Sequence, residues 1–425
     1  MDAILRTSGA GPACRLGPPR PRLARRISAK IGLRCGQCRR SVLKGLARAI
    51  YALPLFAAHD PRRRVVKITD SCRQVAAFPI EENQDAQDWY LRVRRPEILF
   101  RTPPIGLNHE DLVKFDAGAR RYQSGNRCEI PEVFLACIHG ARIESRDFLV
   151  RSAANRILFE SALSDREVLE RNGILDTPLR RPARSMPGSY CLLASPWSPA
   201  YYYHWLLDAL PRLAVIEQFE ALQSLPLIVP ESLTGFQRDS LALGGIPPQR
   251  LAGFDGRCAR VDRLYFPQLL GPTGNPSPHA VSWLRSRFQA QMVAEPATLR
   301  RLYVSRSDAP KRRVLNEDRI IDFLRAHGFE IICPGRLSLA EQIALFSQAG
   351  VVVGPHGAGL TNIVFAPAGA TLIEFFGDSY INGCFWALAN LRGQTHAFLT
   401  SPTETLDFEV RLDDLKSLLR RVCGI

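Results

Sequence analysis

The feature that most constrains this sequence is a glycine-rich turn between apolar segments in the last third of the chain. Three valines, Val351–Val353, precede Gly354-Pro-His-Gly-Ala-Gly359, and such a short apolar run is typical of a strand buried on both faces. Residues 338–349 before it have the apolar spacing of a helix, and the residues after it predict a short helix over 360–366 and a strand over 371–376. This alternation is typical of a doubly wound α/β sheet, which binds ligands at the carboxyl ends of its strands.

The rest of the chain predicts a mixed α/β protein with two domains. We expect an N-terminal α/β domain over residues 61–295, a linker near 291–298 and a C-terminal Rossmann-like domain over 296–425. The other predicted strands are 64–69, 97–101, 132–138, 190–194, 225–229, 260–266, 301–305 and 329–333. The other predicted helices are 204–222, 236–243, 280–292, 316–327, 382–391 and 412–422, with Asn316 and Ser338 as expected N-caps.

The first 60 residues differ in composition from the rest. Residues 1–48 hold twelve of the 56 Lys and Arg residues but only one acid, Asp2, and so supply about eleven of the fifteen net positive charges. We interpret residues 1–60 as a disordered or peripheral extension, in which 1–58 contact an anionic membrane surface. Binding of nucleic acid by this basic tail is an alternative, although no nucleic-acid-reading motif accompanies it. Cys35-Gly-Gln-Cys38 is a lone C-x-x-C pair, and the scattered cysteines favour a reducing compartment.

The glycine turn is a candidate anion site. Gly357, Ala358 and Gly359 place backbone N–H groups with little side-chain bulk at the start of a predicted helix, where the helix dipole also favours negative charge. His356 is expected to cap this helix or to donate a hydrogen bond to a phosphate. The G-x-x-G-x-G spacing is neither the dinucleotide-binding pattern nor the Walker pattern. A tight turn that only lets strand and helix pack is the alternative interpretation.

Charged residues at the ends of neighbouring predicted strands could complete such a site. Arg306 follows the strand 301–305, and Arg312 precedes the next helix. Arginines in these positions can neutralise a diphosphate through bidentate hydrogen bonds, although the Arg-rich composition weakens the inference from any single one. Glu374 is expected to end the strand 371–376, where a carboxylate can accept the hydroxyls of a ribose. A solvated charge at a strand end is the alternative for Glu374.

A second candidate group lies in the segment Tyr201-Tyr-Tyr-His-Trp-Leu-Leu-Asp208. His204 and Asp208 are four residues apart on a predicted helix, so that their side chains can touch. A histidine oriented by a carboxylate is the usual arrangement of a general base. The alternative is a His–Asp pair that only holds the helix beside an aromatic cluster.

Several catalytic patterns are absent from the sequence. There is no Asp-x-Asp, which chelates the metal in one class of sugar-nucleotide enzymes, no H-E-x-x-H and no G-x-S-x-G. We therefore expect no metal site.

Taken together, these segments resemble glycosyltransferase family 61. The resemblance rests on Tyr203-His-Trp-Leu-Leu-Asp208, on Ser305-Arg306 through Arg312-Arg-Val-Leu-Asn-Glu317, and on Gly354-Pro-His-Gly-Ala-Gly-Leu-Thr-Asn362 with Glu374. It covers about residues 190–400 and implies a GT-B architecture, in which two Rossmann-like domains face each other across a cleft. It also implies donor binding by Arg306, Arg312, His356, Gly357, Ala358, Gly359 and Glu374, and catalysis by His204 and Asp208.

The resemblance implies an inverting, metal-independent glycosyltransferase, either a hexosyl- or a pentosyltransferase. The expected donor is a nucleotide-diphosphate sugar, most simply a UDP-sugar, and no cofactor is expected. The expected acceptor is a glycan or a lipid-linked acceptor in the synthesis of a capsular or other surface polysaccharide. We expect a cytoplasmic protein with peripheral contact to the inner membrane. A non-catalytic nucleotide- or glycan-binding protein, and a nucleic-acid-binding protein that uses the basic tail, are the alternatives.

Overall fold

Two large β-sheets, one in each half of the chain, organise the protein. The computed structural model describes residues 65–75, 87–121, 123, 125–172, 182–294, 298–403 and 405–425, which belong to one compact unit. The predicted extension over residues 1–60, with Cys35 and Cys38, lies outside the described residues. In the described part of the chain, no helix has the length and apolar character needed to cross a bilayer.

The sheet of the N-terminal half is mixed in direction. Its half of the chain contains β1 Val65–Val66, β2 Arg73–Gln74, β3 Trp89–Arg94, β4 Glu97–Phe100, β5 Arg127–Ile130, β6 Val133–His139, β7 Arg142–Glu144, β8 Leu149–Arg151, β9 Ile157–Leu158, β10 Arg184–Leu192, β11 Leu227–Pro230, β12 Leu251–Phe254 and β13 Cys258–Pro267. Strands β4 and β5 pair with each other, and the other eleven form one sheet. In that sheet β10 is parallel to β11 and β13, whereas β13 is antiparallel to β6 and β7.

The helices of this half are short. They are Ile68–Ser71, His109–Ala119, Arg166–Arg171, Tyr202–His204, Leu213–Ile216, Glu220–Gln223, Gly235–Leu243 and Pro278–Arg287, with 3₁₀ turns at Phe159–Ala162, Leu210–Arg212, Pro248–Arg250 and Gln289–Gln291. The prediction of one helix over 204–222 is wrong, because a π-helical turn, Trp205–Ala209, and the 3₁₀ turn interrupt it. Pro211 has no N–H to donate, so a regular α-helix cannot continue through it.

The sheet of the C-terminal half is entirely parallel. Its strands are β14 Arg300–Val304, β15 Phe329–Ile332, β16 Ala349–Pro355, β17 Thr371–Gly377 and β18 Thr395–Ser401, in the spatial order β15-β14-β16-β17-β18. This is a doubly wound order, which changes direction between β14 and β16. The helices are Glu317–Ala326, Leu339–Phe346, Cys384–Leu391 and Leu412–Cys423, with 3₁₀ segments Pro334–Arg336 and Ala358–Val364.

The two predicted N-caps behave differently. Ser338 caps its helix as expected, because its hydroxyl accepts the N–H of Glu341 while the Glu341 carboxylate accepts the N–H of Ser338. Asn316 also precedes its helix, but its side chain makes no bond to that helix and instead pairs with both backbone groups of Val410, at 2.8 and 3.0 Å.

One buried apolar cluster joins the two halves. It contains Trp205, Leu206 and Phe288 from the first half together with Leu302, Phe346, Leu360 and Phe365 from the second. The rings of Phe288 and Phe365 are 6.2 Å apart, and the Tyr202 hydroxyl donates to Asn362 Oδ1 at 2.7 Å. The mixed α/β class is therefore confirmed. A GT-B pair of Rossmann-like domains stays a prediction, since the five-stranded sheet is of that type and the first sheet is mixed.

Candidate active site

A cavity of about 440 Å³ lies at the carboxyl ends of β14, β15 and β16. Doubly wound sheets bind ligands where their strand order reverses, which here is between β14 and β16. The loops after these strands and one part of the N-terminal half line the cavity: Ser305, Arg306, Asp308, Pro334, Gly335, Gly357, Ala358 and Gly359, with Tyr202, Phe236 and Asp239. The predicted glycine turn and Arg306 therefore border the same cavity.

The glycine turn is shaped by the close approach of Arg306. A Cβ atom at Gly357 would overlap the Arg306 guanidinium group, so a larger residue would displace it. Gly357 has φ 177°, an extended conformation open to any residue, so space and not backbone freedom requires the glycine. The turn leads into the 3₁₀ segment Ala358–Val364, which replaces the predicted short helix over 360–366.

Arg306 and Arg312 lie close together without an anionic partner. No carboxylate in the described segments forms an ion pair with either, and the buried Nε atom of each has no hydrogen-bond partner. Arg306 donates to the carbonyl of Lys311 at 3.1 Å, and Arg312 lies over the Tyr380 ring at 5.1 Å. Burial and the charge of Arg312 together lower the pKa of Arg306 to about 10, although the charges of Asp308 and Asp407 oppose this shift. Two neighbouring cations, neither of them in an ion pair with a described carboxylate, favour the binding of an anion.

The next arginine along the chain has a different environment. Arg313 is exposed and pairs with Asp407, with Nη2 2.8 Å and Nε 3.0 Å from Oδ2. Arg312 has φ 60°, which is uncommon for a residue other than glycine. Consecutive arginines therefore differ in their partners: Arg313 is paired with Asp407, whereas Arg312 has no ion pair within the described part of the chain.

The prediction that Glu374 ends its strand is wrong. Strand β17 continues to Gly377, so Glu374 lies in its middle, with no exposed surface. Its Oε1 is 2.5 Å from His356 Nδ1, and its Oε2 is 2.9 Å from His396 Nε2. Both carboxyl oxygens thus face imidazoles, and Glu374 does not line the cavity. Its predicted contact with a ribose stays a prediction.

Burial favours the neutral form of all three groups. It lowers the pKa of His356 well below 6.5, with further lowering by the charges of Arg312 and Arg306, and it lowers the pKa of His396 to about 3. It raises the pKa of Glu374 well above 4.5, although the charge of Arg312 opposes this. No group of three or more His, Cys, Asp or Glu side chains in the described part of the protein is arranged to hold a metal ion. The expectation of metal independence stays a prediction.

His204 and Asp208 form the predicted pair. His204 Nδ1 is 2.7 Å from Asp208 Oδ2, and the Thr273 hydroxyl donates to the same oxygen at 2.7 Å. The Asp208 side chain is 4% exposed and that of His204 is 24% exposed, so only the imidazole reaches solvent to any extent. The rings of Trp197, Tyr201 and Tyr203 surround His204, with centroids 5.1, 6.1 and 5.4 Å away. The arrangement is that of an imidazole oriented by a buried carboxylate.

The His204 pair and the arginines lie in one region of the molecule. The Tyr203 ring contacts both His204 and Phe385, and Phe385 contacts His356, with centroids 5.3 to 5.9 Å apart. His204 and Asp208 do not themselves line the 440 Å³ cavity, but Tyr202, two residues before His204, does. The structure thus connects the predicted catalytic and donor-binding residues through two aromatic side chains.

Two residues of this region were not predicted from the sequence. Thr273 lies in the turn Gly271-Pro-Thr-Gly-Asn275 after β13, where a hydroxyl in a Gly/Pro-rich turn is a weak signal. His396 lies on β18, and no strand was predicted there. The apolar residues Ala397–Leu399 were the available signal for that strand.

Comparison with known proteins adds independent information. A family model described as Glycosyltransferase 61 matches residues 202–373. An EGF domain-specific O-linked N-acetylglucosamine transferase of Drosophila melanogaster is 35% identical over 110 residues, which are 25% of this chain and 21% of that protein. The arabinosyltransferase XAT3 of rice is 40% identical over 67 residues, 15% of this chain and 12% of the relative. The EGF domain-specific transferase of Mus musculus is 30% identical over 87 residues, 19% and 16% of the two chains.

These relatives correct one expectation. The predicted cytoplasmic location is wrong, because the EGF domain-specific transferases belong to the secretory lumen and XAT3 to the plant Golgi. The matched segments span about a fifth or less of the length of these curated relatives. The family match includes His204, Asp208, both arginines and the glycine turn. Over residues 202–373 the chain is therefore similar to the glycosyltransferase 61 family.

Proposed function

We propose that the protein is an inverting glycosyltransferase that takes a sugar from a nucleotide-diphosphate donor. The observation that supports this best is the pair Arg306 and Arg312: Arg306 lines the cavity, Arg312 lies close to Arg306, and neither forms an ion pair with a carboxylate of the described residues. When the bond between the sugar and the diphosphate breaks, negative charge develops on the leaving group. The two guanidinium groups and the N–H groups of the glycine turn would supply the positive charge that a divalent ion supplies in other transferases.

The general base in this proposal is His204. Asp208 accepts from the Thr273 hydroxyl, and in this proposal it also accepts the Nδ1–H of a neutral His204, whose Nε2 would then carry a free lone pair. Nε2 would take the proton of an acceptor hydroxyl while its oxygen attacks the anomeric carbon opposite the diphosphate. Attack from that face inverts the anomeric centre. Proton transfer of this kind contributes about 10²–10⁴-fold to a rate.

For the acceptor we propose a hydroxyl of a glycan or of a lipid-linked intermediate, of the kind used in surface polysaccharide synthesis. Tyr201 is 57% exposed, and its ring lies beside His204 together with Trp197. Aromatic faces next to the base would hold a sugar ring over it. We propose a UDP-sugar as donor. The names of the relatives specify different sugars, N-acetylglucosamine and arabinose, so they do not select one.

The proposal is tested with nucleotide sugars and two neighbouring arginine variants. Wild-type protein is screened for donor hydrolysis and for transfer to glycan acceptors. Arg312→Gln should lower the rate about 10²–10³-fold, because it removes one preorganised cation from the leaving group. Arg313→Gln is the matched control, since Arg313 is exposed and already paired with Asp407, and it should leave the rate near that of the wild type.

Two results would contradict the proposal. One is the absence of turnover with every nucleotide sugar by a protein that still binds them, which would indicate a binding protein. The other is an equal effect of the two substitutions, which would show that Arg312 has no special relation to the donor.

A further inference from the structure

The hydrogen bonds of Glu374 with His356 and His396 suggest a role for Glu374 that differs from the predicted ribose contact. His396, Glu374 and His356 form a row of three side chains, hereafter the buried row, on neighbouring segments of the parallel sheet. We infer that the buried row is a hydrogen-bond chain in which His396 donates to a neutral Glu374 and Glu374 donates to His356. This chain positions His356 so that its Nε2–H points to an anion bound at Arg306 and Arg312. This inference rests on the proposed function.

The buried row leads from the interior toward the cavity. The side chains of His396 and Glu374 are 1% and 0% exposed, whereas that of His356 is 8% exposed. His356 lies at the end of β16, between Pro355 and Gly357, and both of these residues line the cavity. Its Nδ1 faces Glu374, so its Nε2 lies on the other edge of the ring. The cations whose charges act on His356 are Arg312 and Arg306.

The position of one proton follows from His396. Its Nδ1 is buried and has no hydrogen-bond partner among the residues that the structure describes, whereas its Nε2 faces Glu374 Oε2. A buried N–H without a partner costs more than a buried lone pair without one, and such N–H groups are rarer in native proteins. The ring proton of His396 therefore belongs on Nε2, from which it is donated to Glu374.

The other two protons follow from the neutral state of Glu374. The groups that face its carboxyl are His356, His396, the Cys384 thiol and, through its charge, Arg312, and burial favours the protonated acid. A proton on Oε1 is donated to His356 Nδ1, so the ring proton of His356 must be on Nε2. An ionised Glu374 would instead accept Nδ1–H from His356. Nε2 would then be a lone pair, which repels a phosphate oxygen.

This order of donors allows a proton to move toward the leaving group as the leaving group gains negative charge. As the electron pair of the breaking bond moves onto the diphosphate oxygen, the proton on Glu374 Oε1 shifts to His356 Nδ1. His356 becomes an imidazolium and Glu374 a carboxylate, and no proton is exchanged with solvent. The buried row is therefore uncharged before the reaction and places a positive charge on His356, next to the anion, as the leaving group gains its negative charge.

The first test is the tautomeric state of the two histidines in the full-length protein without ligand. Nitrogen-15 NMR of histidine-labelled protein, with His356→Gln and His396→Gln for assignment, should show both rings neutral and protonated on Nε2. A His356 ring protonated on Nδ1, or on both nitrogens, would overturn the inference. This readout needs no ligand, so it can fail while the proposed function stands.

The second test uses inorganic pyrophosphate as probe, with affinity measured by calorimetry. Glu374→Gln replaces the neutral acid by an amide that donates to His356 Nδ1 and accepts from His396, so affinity should stay within about threefold of wild type. Glu374→Leu makes neither bond and should weaken binding about tenfold or more. Equal weakening by both substitutions would show that the carboxylate charge is needed and would overturn the inference.

His396 supplies an independent pair of variants. Gln can place an N–H near the position of His396 Nε2, whereas Leu cannot, so His396→Gln should retain pyrophosphate affinity and His396→Leu should lower it about tenfold. Thermal unfolding of each variant shows whether it is folded at the assay temperature. Equal affinities in the two folded variants would overturn the positioning role of His396. If the wild type does not bind pyrophosphate at all, the proposed function fails, whichever tautomers NMR shows.

Discussion

At the scale of single residues, Thr273 supplies a hydroxyl that contacts both the candidate base, His204, and its partner, Asp208. It donates to Asp208 Oδ2 at 2.7 Å, the same oxygen that faces His204, and its hydroxyl oxygen is 3.1 Å from His204 Nδ1. Asp208 is buried, so each hydrogen bond to its carboxylate fixes its orientation and stabilises its charge. In the proposed mechanism Thr273 would therefore act on the acceptor hydroxyl only through the His204–Asp208 pair.

Substitution of Thr273 should consequently affect turnover and not donor binding. We expect Thr273→Val to lower kcat about tenfold or more, because one hydrogen bond to a buried charged group is lost, with the KM for donor unchanged. Thr273→Ser keeps the hydroxyl and should retain most of the activity. Steady-state kinetics with the donor found in the screen measure both constants. A rise in KM at constant kcat would instead place Thr273 in the donor site.

At the scale of elements, the glycine turn after β16 has a testable steric requirement. Gly357→Ala should displace the Arg306 guanidinium, because the added Cβ would overlap it. We expect the affinity for pyrophosphate to fall about tenfold or more, as when a charge-assisted hydrogen bond is lost. Gly235→Ala is the control: it lies on the same cavity, at the start of the helix Gly235–Leu243, and its added Cβ would meet no atom within 4 Å.

The comparison of these two variants shows whether pyrophosphate binding is weakened by the overlap with Arg306 or by any methyl group added to the cavity. If Gly235→Ala weakens pyrophosphate binding as strongly as Gly357→Ala, any added methyl group in the cavity is harmful and the specific overlap with Arg306 is not the cause.

The sequence predicted correctly those helices and strands that are marked by patterns of neighbouring residues. Strands β14–β17 and the helices around them were predicted because apolar runs alternate with capping residues and glycines, as at Ser338. The predicted strand 64–69 is wrong, because only Val65–Val66 is extended and a helix, Ile68–Ser71, follows. The interruption of 204–222 by a π turn depends on packing within the core, which a helical apolar spacing does not reveal.

The same limit applies to the candidate site. The His204–Asp208 pair could be predicted because its members are four residues apart. Thr273 is 65 residues from Asp208, and His396 is 22 residues from Glu374 and on another strand. Such contacts depend on strand order and register, which local spacing does not encode. Glu374 was misplaced for a related reason: the position of a carboxylate along its strand depends on where the strand ends.

At the scale of the whole molecule, the buried row should shape the dependence of stability on pH. Between pH 4.5 and 6.5, the ordinary pKa values of Glu and His, the unfolded chain holds two protons on the histidines and the folded row holds one on Glu374. The unfolded state binds one more proton, so the free energy of unfolding should rise with pH by about 1.4 kcal/mol per pH unit. Above pH 6.5 the unfolded chain holds none of these protons, so stability should fall with pH over the range in which the folded row keeps the proton on Glu374.

The variant Glu374→Gln separates the effect of the Glu374 proton on the pH dependence of stability from the effects of all other groups. The variant row holds no titrating proton when folded, so its stability should rise with pH about twice as steeply between pH 4.5 and 6.5 and should not fall above pH 6.5. Urea unfolding at a series of pH values measures the difference between variant and wild type. Parallel curves for the two proteins would contradict a neutral Glu374 in the folded state.

The apolar cluster shared by both halves has a consequence for any attempt to divide the protein. A fragment beginning near residue 298 would lose the first-half members of the cluster that buries Leu302, Phe346, Leu360 and Phe365, among them Phe288, whose ring contacts Phe365. Asn362 would lose the Tyr202 hydroxyl as well. The C-terminal half with its five-stranded parallel sheet is therefore not expected to fold alone, and gene fusions, truncations or circular permutations should keep both halves in a single polypeptide or supply the missing half in trans.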